Sequence, residues 1–130
     1  IGSGTRIFRE FATELVGNYE AIIGIGETRR GTHVRSETTC NNRFRRTLLA
    51  QKPETYTLPR LPIIEPIQDG NSIGNSYCNA VAYTVMHIAQ PKSFTYLYVP
   101  RTANAQDIAT YIRLFPDLLL ENPVQLDFKL

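Results

Sequence analysis

The apolar residues Ile108, Tyr111, Ile112, Phe115 and Leu119 recur at the spacing of one buried helix face, whereas almost everything before them reads as strand. A chain with strands first and one helix last has few ways to cover a core. The helix is predicted over residues 103–121. The run Thr102-Ala103-Asn104-Ala105-Gln106-Asp107 supplies capping-type residues before it, and Asn122-Pro123 ends it. Pro116 kinks or splits it, because the proline ring clashes with the carbonyl four residues earlier.

Residues 1–10 read as an N-terminal arm and residues 11–101 as the strands. Residues 11–16 alternate apolar and polar, Gly17-Asn18 offers a two-residue turn, and residues 19–25 resume a β-rich run, which together predict a hairpin. Ile7, Phe8, Phe11 and Leu15 allow a competing helix over residues 5–16. Residues 31–39 read as a polar edge strand and residues 43–51 as another strand, closed by Lys52-Pro53-Glu54. Residues 55–67 pair with it irregularly, since Pro59, Pro62 and Pro66 donate no ladder bonds. Residues 68–76 form a loop rich in Gly, Asn and Ser, and residues 79–88 and 93–99 form a second hairpin.

This order predicts a single α+β domain over residues 1–130: an antiparallel sheet of about six to seven strands with the C-terminal helix on one face. One helix of that length leaves much of such a sheet uncovered, because each strand is nearly 5 Å wide in the pairing direction. A second copy then supplies the cover, in a dimer whose helices interlock across a shared sheet.

Composition excludes the extremes. Apolar residues make up 42% of the 130 and charged residues 20%, so neither disorder nor a membrane-spanning run is expected, and no membrane partner follows. The start, Ile1-Gly2-Ser3-Gly4, lacks the basic and apolar regions of a signal peptide. Cys40 and Cys78 are equally compatible with free thiols, one cross-link or an intermolecular bridge.

Catalytic constellations are weak. His33 and His87 are the two histidines, and His87 lies in an apolar run that favours a structural role. Cys78 and His87, read on one strand, stand about 30 Å apart and do not meet. The Cys and His residues show no metal-ligand spacing, so neither metal nor cofactor is expected. Gly24-Ile25-Gly26-Glu27-Thr28-Arg29-Arg30-Gly31 lacks the spacing of a phosphate loop and reads as turn and bulge glycines.

Charge is more informative. The total is +2, yet residues 29–60 carry eight Lys and Arg against two Glu, an excess of six, while residues 61–130 carry four cations against six anions. Strand alternation puts Arg43, Arg45, Thr47 and Gln51 on one face, and Tyr56 with Arg60 on one face of the next strand. In the last hairpin Tyr83 and His87 share a face, and Tyr96 and Tyr98 share one opposed to Leu97 and Val99. Arginines for phosphates and tyrosines for base stacking are how single-stranded or looped RNA is held.

The N-terminal hairpin, the polar edge strand, the strand ending in Gln51-Lys52-Pro53, the Tyr56-Thr57-Leu58 strand, the closing hairpin and the helix opened by Thr102-Ala103-Asn104-Ala105-Gln106-Asp107 resemble the coat proteins of single-stranded RNA bacteriophages. That resemblance implies interlocked dimers tiling an icosahedral shell, a location in the virion after assembly in the bacterial cytoplasm, and no enzymatic activity. It also implies an inward RNA-binding face of Arg43, Arg45, Thr47, Gln51, Tyr56, Arg60 and Tyr83, with repression of translation through an RNA hairpin. Cys78, beside a loop that would gather at a symmetry axis, becomes a candidate for an inter-subunit disulfide, with Cys40 the second candidate. The residues 125–130, which read as a further strand, depart from the coat pattern, as do Pro116 and the three prolines of residues 55–67. The rival expectations are a small RNA-cleaving toxin domain using His33 or His87 and a non-catalytic RNA-binding repressor.

Overall fold

A computed structural model describes residues 2–17, 19, 21–44, 46–47, 52–103 and 105–121. In chain order the elements are α1 (Gly2–Glu14), β1 (Ile22–Thr28), β2 (Arg35–Ser36), β3 (Thr39–Asn41), β4 (Arg43–Phe44), β5 (Arg46–Thr47), β6 (Thr55–Thr57), β7 (Gln68–Asp69), α2 (Tyr77–Ile88), β8 (Phe94–Pro100) and α3 (Ala105–Glu121). Four strands form the main sheet in the order β1-β8-β2-β7. β1 runs parallel to β8, from Ile22 opposite Phe94 to Thr28 opposite Pro100, and β2 is parallel to β7 and antiparallel to β8. Two-stranded antiparallel pairs, β3 with β6 and β4 with β5, stand apart from it.

Parallel neighbours need a long crossover, and here the chain between β1 and β8 includes α2. β8 is buried on both faces. Phe94 and Tyr96 pack with Ala82, Val85 and Met86 of α2 and Ala12 of α1, while Leu97 packs on the other side with Val34, Leu61, Ile67 and Tyr111 of α3. The architecture is therefore α/β, a mixed sheet with helices on both faces, and not an antiparallel sheet of six to seven strands covered on one side. The interlocked dimer that the area deficit required loses its premise, because α1 and α2 cover the face that α3 leaves open.

Two segments account for most of the difference. Residues 79–88 are helix, not strand: Asn79, Ala80, Ala82, Tyr83, Thr84, Val85 and Met86 are all buried, so no polar face marks the period. Residues 11–14 belong to α1, the competing reading of that segment, and the Gly17 that looked like a hairpin turn follows the helix at φ 69°. The strand predicted over residues 55–67 stops at Thr57. Beyond it Pro59 and Pro62 donate nothing, yet the Pro59 carbonyl accepts from the Phe94 N–H at 3.1 Å and the Leu61 N–H donates to Thr95 Oγ1 at 3.0 Å, which fastens this irregular segment to β8. α3 runs unbroken through Pro116. No described helix is long and apolar enough to cross a membrane.

Candidate functional site

α2 begins at the end of the loop of residues 68–76, and Cys78 is its second residue. Helix geometry leaves the first N–H groups of α2 without helical partners and directs its positive end at whatever lies before it. Asn79 holds that end in place. Its side-chain oxygen accepts from the Asn41 N–H at 2.7 Å, and its Nδ2 donates to the carbonyls of Asn41 and Arg43 at 2.9 and 2.8 Å.

Against Cys78 stand Tyr96 and Tyr98, the face of β8 opposed to Leu97, and the neighbouring thiol helps to raise both phenols. Their rings meet edge to face with centroids 5.5 Å apart. The Tyr98 hydroxyl donates to the Ile73 carbonyl at 2.8 Å, so the loop before α2 is tied to β8 at the site. Gly26 of β1 closes the floor: a Cβ there would lie 3.2 Å from Cys78 Sγ and 2.5 Å from the Tyr96 hydroxyl. Behind the tyrosines the carboxylate of Glu37, 1% exposed, accepts from Arg35 Nε at 3.1 Å and from the Asn71 N–H at 2.8 Å. The Arg35 guanidinium sits 5.8 Å from the Tyr98 ring centroid.

Electrostatics keep the tyrosines neutral. Burial pushes Tyr98 up to about 12, with the neighbouring Cys78 and Glu37 adding to it, and burial first and then Cys78 raise Tyr96 as well. Both therefore stay protonated beside the sulfur and do not act as bases near neutral pH. Burial likewise pushes the Cys40 thiol and Tyr83 up to about 12 and raises Tyr111. In the unfolded chain these groups ionise nearer 9 for the thiol and 10 for the phenols, so their neutral burial contributes stability that is complete below about pH 9 and is lost as the pH rises toward 12. The urea midpoint is expected to fall steadily between about pH 9 and 11, and less steeply in Tyr98→Phe; a flat midpoint over that range would contradict the assignment.

The residues expected to form one RNA-binding face are dispersed. Arg43 pairs with Glu54 at 3.1 Å on the surface, and Arg60 donates to the Ser36 carbonyl at 2.8 Å and pairs with Asp69 at 2.7 Å. Thr47 lies exposed on β5, while Arg45 and Gln51 fall outside the described residues. Among the described residues two pairs come together: Arg43 stands opposite Thr47 across β4 and β5, and Tyr56 and Tyr83 lie with centroids 5.0 Å apart, where His87 joins them with Nδ1 2.9 Å from the Tyr56 hydroxyl. His33 is a loop residue whose Nδ1 is 2.9 Å from Thr32 Oγ1. Cys78 and His87 still do not meet, for a new reason: nine residues along one helix place them on opposite faces, about 14 Å apart along the axis. Cys40 and Cys78 both carry free thiols. Among the described residues no three of His, Cys, Asp and Glu gather to hold a metal ion.

Of the site residues, Glu37 has no role in the sequence expectations, and Cys78 enters them as a nucleophile only beside His87, from which a strand keeps it apart. Cys78 was assigned to the edge of a strand, although its place after Asn75-Ser76 is where a loop enters a helix. Glu37 left a trace as one of only two acids among eight cations in residues 29–60.

A three-layer α/β domain with a cysteine at a helix N-terminus against the central strand is what the fold and the site define. No family model and no curated protein sequence matches the chain. Among solved structures it is similar to the pyrrolidone carboxyl peptidase from Thermococcus litoralis, with 16% identity, a TM-score of 0.70, and 97% of this chain covering 78% of that one. It is also similar to a mutant pyrrolidone carboxyl peptidase from the hyperthermophile Pyrococcus furiosus, with 16% identity, a TM-score of 0.75, and 92% of this chain covering 76% of that one. The fold is thus shared with peptidases. The coat-protein resemblance does not survive this finding, and with it fall the capsid function, the non-enzymatic reading, the virion location and the RNA-cleaving alternative.

Proposed function

We propose that the chain is a cysteine-dependent peptidase in which Cys78 attacks the carbonyl carbon of the scissile amide. The observation that carries this reading is the seat of Cys78, half-buried at the α2 N-terminus and walled by Gly26, Tyr96 and Tyr98. The likeness to the two pyrrolidone carboxyl peptidases supports it.

In this reading the sulfur forms a bond to the acyl carbon while the carbonyl oxygen takes the electron pair. The N–H groups of the first turn of α2 face that oxygen, as donors do in an oxyanion hole. The C–N bond then breaks, the amine leaves with the proton that the thiol brought, and water cleaves the thioester to a carboxylic acid. The hydroxyls beside the sulfur position that proton. His33 and His87 have their contacts elsewhere, with Thr32 and Tyr56 respectively, so neither serves as the imidazole base in this reading.

The test is hydrolysis of a panel of aminoacyl and pyrrolidone carboxyl aminocoumarin amides by the purified protein. Cleavage is expected for at least one of them, with a loss on the order of 10³-fold in Cys78→Ala and little change in Cys40→Ala, whose thiol is buried and held neutral. Cleavage that persists in Cys78→Ala, or none by the parent protein, would overturn the proposal.

A further inference from the structure

Beside Cys78 lies an apolar cavity of about 270 Å³ between α1, β1 and α2, lined by Phe11, Leu15, Ile23, Val81 and Val85, with Cys78 and Tyr96 in its wall. A cavity of about 150 Å³ lined by such side chains stays dry and takes up benzene. This one has room for one large apolar side chain and falls just short of the roughly 300 Å³ at which pockets for whole small molecules begin. Phe11 (48% exposed), Ile25 (55%) and Tyr77 (61%) spread apolar surface around it, as at a binding mouth.

We propose that the cavity is the specificity subsite for the residue whose carbonyl Cys78 attacks, and that it takes a bulky apolar side chain of the leucine or phenylalanine kind. This rests on Cys78 as the nucleophile and goes further, to the substrate. The cavity and the α2 N-terminus share Cys78, so a carbonyl held over the sulfur leaves its side chain directed into the apolar space. A pyrrolidone ring is the poorer occupant. Its lactam N–H and C=O would lie against Phe11, Leu15, Val81 and Val85, and the polar side-chain atoms of the lining, apart from the thiol, are the tyrosine hydroxyls. Of these, the Tyr77 side chain is 61% exposed, and the Tyr96 hydroxyl stands against Gly26. Burying the two lactam groups without partners disfavours that ring, whereas a Leu or Phe side chain has no such groups to satisfy.

Chloromethyl ketones test the subsite independently of turnover: the Cys78 thiolate forms a C–S bond at the methylene carbon and chloride leaves, and the adduct is located by peptide mass spectrometry. The reagents built on leucine and phenylalanine are expected to label Cys78 about tenfold or more faster than those built on aspartate and pyrrolidone carboxylate. Val81→Phe, which fills the cavity, is expected to erase the difference while iodoacetamide still labels Cys78. Equal rates across the four reagents with the parent protein, or a preference for the pyrrolidone reagent, would overturn the subsite and leave the nucleophile standing. Failure of iodoacetamide to label Cys78 in the folded parent protein would overturn the nucleophile, and this inference with it.

Discussion

Glu37→Ala is expected to destabilise the fold by about 2–3 kcal/mol, the cost of removing a charged hydrogen-bonding partner from a part-buried network. The carboxylate is 1% exposed and joins two parts of the chain: the end of β2, through Arg35 at 3.1 Å, and the loop at Asn71, whose N–H donates to it at 2.8 Å. Alanine leaves the Asn71 N–H without this acceptor and Arg35 without its anion, next to a space that the Gly70 backbone does not fill. Against a total of about 5–15 kcal/mol for a domain of this size, such a loss leaves much of the chain unfolded on mild heating. Glu37→Gln keeps an oxygen for Asn71 and should lose only about 1–2 kcal/mol. Because the negative charge of Glu37 helps hold Tyr96 and Tyr98 neutral, Glu37→Gln should also bring tyrosinate formation to lower pH. Urea titration and ultraviolet absorbance against pH measure the two effects. A Glu37→Ala protein as stable as its parent would show that the buried carboxylate does not organise this end of the sheet.

Gly26→Ala is expected to disable the site without dissolving the fold. The added Cβ would stand 2.5 Å from the Tyr96 hydroxyl, 3.1 Å from Tyr98 Cε1 and 3.2 Å from Cys78 Sγ. None of the three moves freely. Tyr96 lies between the rings of Phe94 and Tyr98, Tyr98 is tied to the Ile73 carbonyl, and Cys78 is fixed by the helix that Asn79 anchors. Overpacking of this kind costs about 1–3 kcal/mol, which the domain survives, but a displacement near 1 Å at a reacting atom costs roughly 10²-fold in rate. Hydrolysis and the selective labelling of Cys78 should therefore fall together, with circular dichroism unchanged. Parent-like labelling in a folded Gly26→Ala protein would mean that the sulfur and β1 are further apart than the geometry gives.

The elements with a polar side were legible in the sequence. Ile108, Tyr111, Ile112 and Phe115 carry a helical period that α3 displays, with Tyr111 buried as that period expects, although Ile112, expected on the same buried face, is exposed. The alternation of Tyr96 and Tyr98 against Leu97 is the alternation of β8, whose two faces meet different helices. α2 was not legible, because a helix buried on nearly every side shows neither a period of two nor one of 3.6, and Val81, Val85 and Ile88 read equally well as strand. That reversal, together with the one at residues 11–14, carries the fold class with it. With residues 79–88 as a strand, the chain had one helix and an uncovered sheet, and a second copy had to be brought in.

The candidate site was less legible for a related reason. Its members come from residues 26, 37, 78, 96 and 98, a spread over four elements and loops that only the packing of β1 beside β8 and of α2 across them brings together. The basic excess of residues 29–60 was real as a count, yet Arg35, Arg43 and Arg60 spend their charge on Glu37, Glu54 and Asp69 within the domain.

The sequence by itself determined the local preferences: the period of α3, the two-faced alternation of β8, the loop that delivers Cys78. Tertiary structure alone decided which strands are neighbours and in which direction, and hence what stands beside the sulfur. The reason is physical. Periodicity records which side of an element faces water, and a segment that never faces water leaves no such record; its partners are chosen by shape and by long-range hydrogen bonds such as those of Asn79 to Asn41 and Arg43.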